Sequence, residues 1–216
     1  MLLLINEKRK IVINNQKTKQ FYEFLHKQML VMLGLSLGPG LGYILLGVIQ
    51  DVAARSVGWY LALVMVAAWG YRLYKNFDLS SMSHQGLASW YRQATYFYYA
   101  IFSLWTVIFL LFAPLHESGL HYVAIFTQIG ASVVASTLLF SDRRLFIPII
   151  LVLMVPLILY FSQVGTWYGY VLTIFSSVFL WVLYYASSSS NKLLQKTNYQ
   201  AAHDQLTGLY NRNYFI

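Results

Sequence analysis

Six long apolar runs decide most of what this chain can fold into. They fall at about residues 28–50, 57–74, 94–113, 120–140, 145–164 and 167–186, and Arg72, at the end of the second, is the one Asp, Glu, Lys or Arg among them. As a helix, each can cross a hydrocarbon core of about 30 Å. Apolar residues make up 58% of the chain and charged residues 10%, whereas soluble domains average near half and a quarter. The expected fold class is all-α: a six-transmembrane-helix bundle with a long cytoplasmic extension of the last helix.

The cations set the orientation. Of the 15 Lys and Arg, all but Arg55 lie in the N-terminal segment, the 72–93 region, the 141–144 loop or the C-terminal tail. These segments alternate along the chain, so the positive-inside rule places them, and both termini, in the cytoplasm. An even number of spans is needed for that, and six are counted. A net charge of +8 would suggest nucleic acid in a soluble protein. Here the bases flank apolar runs, so they are read as topology signals and contacts to membrane lipids, with no nucleic-acid partner. There are no cysteines, which excludes disulfides and thiolate metal sites.

The expected division is a cytoplasmic or interfacial segment at 1–27, a membrane domain at 28–186, a signalling helix or linker at 187–203, and a new domain opening at 204–216. Met1–Ile5 is apolar but precedes Glu7-Lys8-Arg9-Lys10, the reverse of a signal peptide. Phe21, Phe24 and Leu25 recur at helical spacing among Lys17, Lys19 and Lys27. That fits either an amphipathic helix lying on the membrane surface or the start of the first span. Pro39 predicts a bend in the first span, and Pro148 and Pro156 a bent or partly broken helix in the fifth. Trp59-Tyr60, Trp90-Tyr91 and Trp167-Tyr168 are placed at headgroup level.

Several features are candidate sites. Gly34, Gly38 and Gly42 are four apart, hence on one face. Such a face serves helix packing, a dimer contact or a ligand slot. Gln128, Ser132 and Ser136 make a polar stripe at the same spacing, and Ser103, Thr106, Thr173 and Ser177 lie in neighbouring spans. Together they are a candidate pocket for the head of a lipophilic ligand; the alternative is ordinary interhelical hydrogen bonding, at about 0.6 kcal/mol each. His116, Glu117 and His121 cluster on the outer side, but their spacing matches no strong metal motif. Tyr96-Phe97-Tyr98-Tyr99 surrounds every face of a helix, as packing or lipid-facing surface does. Ionisable residues at depth, which pumps and voltage sensors need, are missing.

Ser187–Ser190 continues the sixth run without Pro or Gly, so helix is expected from about 167 to 203, roughly 55 Å. A continuous helix can carry rotation, tilt or piston motion. Leu194 and Ala201 are seven apart, compatible with a coiled-coil seam.

The tail then reads His203-Asp204-Gln205-Leu206-Thr207-Gly208-Leu209-Tyr210-Asn211-Arg212. Thr207-Gly208 breaks the helical pattern, and Asp204 can accept backbone N–H bonds at the break. Asp-x-Leu-Thr-Gly-Leu-x-Asn-Arg directly after a membrane-exit helix resembles the opening of a GGDEF domain, the diguanylate cyclase module. The resemblance covers the last 14 residues. It implies synthesis of cyclic di-GMP from two GTP, with Mg²⁺ or Mn²⁺ at the phosphates. It further implies guanine contact by Asn211, and a joint between helix and catalytic domain at Asp204, Leu206, Thr207 and Gly208. A homodimer through the last helix is implied too, because two GTP-loaded sites must face each other. The Gly-Gly-Asp-Glu-Phe signature does not occur in the 216 residues. They are therefore expected to be the input half of a longer enzyme, not catalytically competent alone. The six-span module resembles the membrane sensor regions fused to such domains, in the bacterial inner membrane. The competing expectation is a membrane anchor and dimerisation module that senses nothing.

Overall fold

A computed structural model describes the backbone at 2–114 and 120–202, with most side chains placed from Phe21 onward. It holds six helices: α1 (Leu2–Ile49), α2 (Ala53–Lys75), α3 (His84–Phe112), α4 (Leu120–Leu138), α5 (Arg143–Gln163) and α6 (Trp167–Ala202). Each is long and apolar enough to cross a membrane, and no strand occurs among the described residues. The His203–Arg212 motif, Asn211 included, lies outside them, as do His116 and Glu117.

The helix boundaries follow local chemistry. Between Leu2 and Leu33 there is no Gly or Pro, so nothing breaks the backbone, and the 17–27 stretch belongs to the same helix as the first span. Residues 21–27 do not form a separate surface element: the apolar segment begins at Phe21, and Leu25 is fully buried. The prolines do not interrupt their helices. α1 continues across Pro39, and α5 across Pro148 and Pro156. Each proline removes one backbone bond, which the remaining ladder tolerates. Ser83 caps α3 by accepting from Gly86 N at 3.2 Å, and Asp142 caps α5 by accepting from Arg144 N at 2.9 Å. The α5–α6 turn pivots on Gly165, whose φ of +70° is costly for any residue with a Cβ.

The chain forms two compact units, divided inside α4 after Gln128. In the first, α1 packs on α2, α2 on α3, and α1 also touches α3. Leu25, Met29, Leu63, Phe97, Ile101 and Phe102 form its buried centre. Close approach is tightest at two glycines. A Cβ on Gly47 would collide with the Ser56 side chain, and one on Gly70 with the Phe97 ring.

In the second unit α5 packs on α6. α5 contributes large apolar residues, among them Leu145, Ile149, Leu153 and Leu157. The buried residues of α6 among those described are Gly169, Ser176, Leu183, Ser187 and Asn191, the first three seven apart and the rest four apart, with half-buried Thr173 and Leu180 between them on the same face. That is the 3.5-residue period of a coiled-coil seam, here turned toward the rest of its own unit and built mostly of small residues. α6 is 36 residues, about 54 Å, and passes through all four serines unbroken.

Candidate functional site

Polar groups in apolar helices must find partners, because hydrocarbon offers none. In the first unit they find them across helices. Gln128 and Thr106, both expected in a ligand pocket, are buried and bonded to each other: Gln128 Nε2 donates to Thr106 Oγ1 at 3.3 Å. Thr106 Oγ1 in turn donates to Phe102 O at 3.3 Å. Tyr43 Oη and Thr127 Oγ1 form a short hydrogen bond between α1 and α4. Trp105 Nε1 donates to Ser36 Oγ at 3.4 Å, and Trp59 Nε1 to Leu104 O at 2.6 Å. The Tyr43, Trp59 and Trp105 rings meet edge-on at centroid distances of 5.3–6.2 Å, the arrangement aromatic quadrupoles favour. The result is an aromatic wall beside a polar ladder.

Sequence reasoning missed Ser36, Tyr43, Trp59 and Trp105 as members of this cluster. The available signal was an indole or phenol inside an apolar run, where its N–H or O–H must be answered. Trp59 and Trp90 were expected at headgroup level; the structure buries both and bonds both to backbone carbonyls, Trp90 Nε1 to Leu73 O at 3.2 Å. Trp167 and Tyr168 are exposed. Of the 96–99 run, Phe97 and Tyr98 are buried and Tyr96 is exposed.

The remaining candidates are placed one by one. Ser103 is exposed on α3. Ser132 and Ser136 belong to the second unit and are buried there; Ser132 Oγ donates to Ile129 O at 2.6 Å. Thr173 Oγ1 donates to Gly169 O at 2.9 Å and Ser177 Oγ to Thr173 O at 2.8 Å, so both are satisfied by their own helix. Gly34, Gly38 and Gly42 are exposed, and a Cβ on any of them would meet nothing within 4 Å. The packing assigned to them falls instead to Gly40 and Gly47, on another face of the same helix: a Cβ on Gly40 would come within 2.8 Å of the Tyr60 ring. His121 Nδ1 bonds Ala113 O at 2.6 Å. Among the described residues no three His, Cys, Asp or Glu come together as a metal site.

A second polar cluster surrounds the α4–α5 turn. Asn191 Nδ2 donates to Phe140 O at 2.8 Å and to Ser141 O at 3.0 Å. Arg143 Nη2 donates to Ser188 Oγ at 2.8 Å and to Tyr184 Oη at 3.3 Å, with its guanidinium 5.9 Å from the Tyr184 ring centre. Ser187 and Asn191 are buried. Composition had marked this segment only as a serine run; its polar residues gain meaning from the carbonyls and cation opposite them.

No protein-family model matches the chain, and neither a curated protein nor a solved structure shows significant similarity to it.

Proposed function

We propose that the chain is the integral-membrane input module of a diguanylate cyclase. In this reading a lipophilic or outer-face ligand biases the helices between two arrangements, and α6 passes the bias to a cytoplasmic GGDEF domain that condenses two GTP with Mg²⁺ or Mn²⁺. One observation carries the reading. α6 runs without a break from Trp167 through the serine run to Ala202, and the GGDEF-like motif starts two residues later at Asp204. A rigid rod transmits movement; a flexible linker does not. The distribution of Lys and Arg supports cytoplasmic ends, where GTP is found. A ligand could shift the equilibrium only by its differential affinity for the two arrangements.

The competing reading is an anchor that dimerises and localises the output domain. It draws support from the pairing of Gln128 with Thr106 and of Thr173 and Ser177 with their own helix. The test is cyclic di-GMP synthesis by the full-length protein in defined vesicles, with and without lipids extracted from the native membrane. Activity that changes with extract, and loses that response in Ser189→Pro, supports an input module. Synthesis that ignores every extract supports the anchor, and no synthesis at all refutes the cyclase assignment.

A further inference from the structure

The contacts of α6 at the α4–α5 turn are of a different kind from those along the rest of its length. Near its start, Gly169 lies so close to α5 that a Cβ there would come within 2.9 Å of Phe161 O. Between the two ends its buried seam offers Ser176 and Leu183, only one of them a large apolar knob. Small side chains let helices approach closely, and neither Gly169 nor Leu183 offers a side-chain hydrogen bond across the contact. At the turn, by contrast, Tyr184, Ser188 and Asn191 stand four and three residues apart, on one face, and all three are bonded.

The turn is itself stiff. Asp142 N donates to Leu139 O at 3.0 Å, and the Asp142 carboxylate accepts from Arg144 N at 2.9 Å. Asn191 therefore reaches two adjacent turn carbonyls, Phe140 O and Ser141 O, just beyond the end of α4. Turning α6 by one residue, about 100°, would part Asn191 from both carbonyls and Arg143 from both hydroxyls together. The bonds share one face and one rigid partner, so they are made or lost as a group.

We propose that Asn191 and Arg143 form a releasable latch that fixes the rotational setting of α6 against the α4–α5 turn. The latch stands on these contacts alone; its role in signalling rests on the reading of α6 as the output helix.

The absence of cysteine makes the test direct, because a single introduced thiol reports alone. In detergent-solubilised protein, Ser187→Cys is buried beside the latch and Leu193→Cys, at a position 66% exposed, is the open control. Ala94→Cys, buried in the first unit, reports general unfolding. Asn191→Asp keeps the shape of the side chain and removes the donors, and Arg143→Gln removes the fork. Either should raise maleimide labelling of Ser187→Cys about tenfold, the factor that goes with one or two net hydrogen bonds. Labelling of Leu193→Cys and Ala94→Cys should stay unchanged. Arg143→Lys should recover part of the protection. Unchanged labelling of Ser187→Cys, or a rise shared equally by Ala94→Cys, overturns the latch. In the full-length protein, a latch variant that opens at Ser187 yet leaves cyclic di-GMP synthesis untouched refutes the output reading and leaves the latch in place.

Discussion

Two alanine substitutions in one helix should have opposite effects. Gly47 and Gly42 both lie in α1, and Gly→Ala at each gains up to about 1 kcal/mol of helix propensity. At Gly42, which unlike Gly38 does not precede a proline, the new Cβ meets no atom within 4 Å, so the gain stands. At Gly47 it collides with Ser56 Oγ and comes within 2.6 Å of Ser56 Cβ. Ser56 is fully buried, and a Cβ cannot swing aside as a side-chain tip can, so the helices must part. Overpacking of this kind costs about 1–3 kcal/mol. Propensity largely cancels between the two variants, so the difference in their stabilities should be about 1–3 kcal/mol, with Gly47→Ala the weaker. Adding Ser56→Gly to Gly47→Ala removes both colliding atoms; the next neighbour, Val52 O at 3.6 Å, is an ordinary contact, so stability should return. The assay is unfolding in mild detergent by graded addition of SDS, followed by far-ultraviolet circular dichroism. Equal effects of the two single variants, or no rescue by Ser56→Gly, would refute the assignment of the close face. A loss at Gly42→Ala accompanied by loss of a dimer would show that a second copy covers the glycine stripe.

Other outcomes follow from single contacts. A double-mutant cycle of Gln128→Leu and Thr106→Val, read by the same unfolding assay, should give a coupling of about 0.6 kcal/mol and not above about 1.7. Tyr43→Phe removes the bond to Thr127 but keeps the ring contacts with Trp59 and Trp105; it should cost about 0.5–1.5 kcal/mol, and Tyr43→Ala clearly more. The α2–α3 loop should respond to acid. The hydroxyl of Ser80, then that of Ser81 and the Ser80 backbone N–H, donate to Asp78 and hold its carboxyl below the usual carboxylate range. Such a group contributes to folding above its ordinary pKa, and the contribution is lost as pH falls through the lowered value. Nuclear magnetic resonance titration of the Asp78 carboxyl carbon should therefore show a midpoint below that of a free aspartate, moving toward the free value in Ser80→Ala.

Helix number and the extent of the last helix were legible because both depend on local properties. A charge-free run of about 20 residues has few alternatives in a bilayer. The same reasoning misjudged which face of a helix does what. The Gly34, Gly38, Gly42 stripe has the spacing of a packing face, yet Gly40 and Gly47 make the close approach. Spacing defines a face but not the element opposite it. Trp59 and Trp90 stand near run ends, and the pattern does not contain the backbone carbonyl that each reaches on another helix. Leu194 lies three residues beyond Asn191 and is half-buried.

From sequence alone follow six helices, their approximate limits, the bias of cations to alternate loops, and the motif that gives the chain its resemblance. These rest on hydropathy, charge and short-range pattern, which need no knowledge of neighbours. Tertiary structure alone decided that Gln128 meets Thr106, that Tyr43 meets Thr127, and that Asn191 and Arg143 tie α6 to the α4–α5 turn. Each of these joins residues 22 to 84 positions apart, and a hydrogen bond depends on distance and angle in space, which one-dimensional periodicity does not contain.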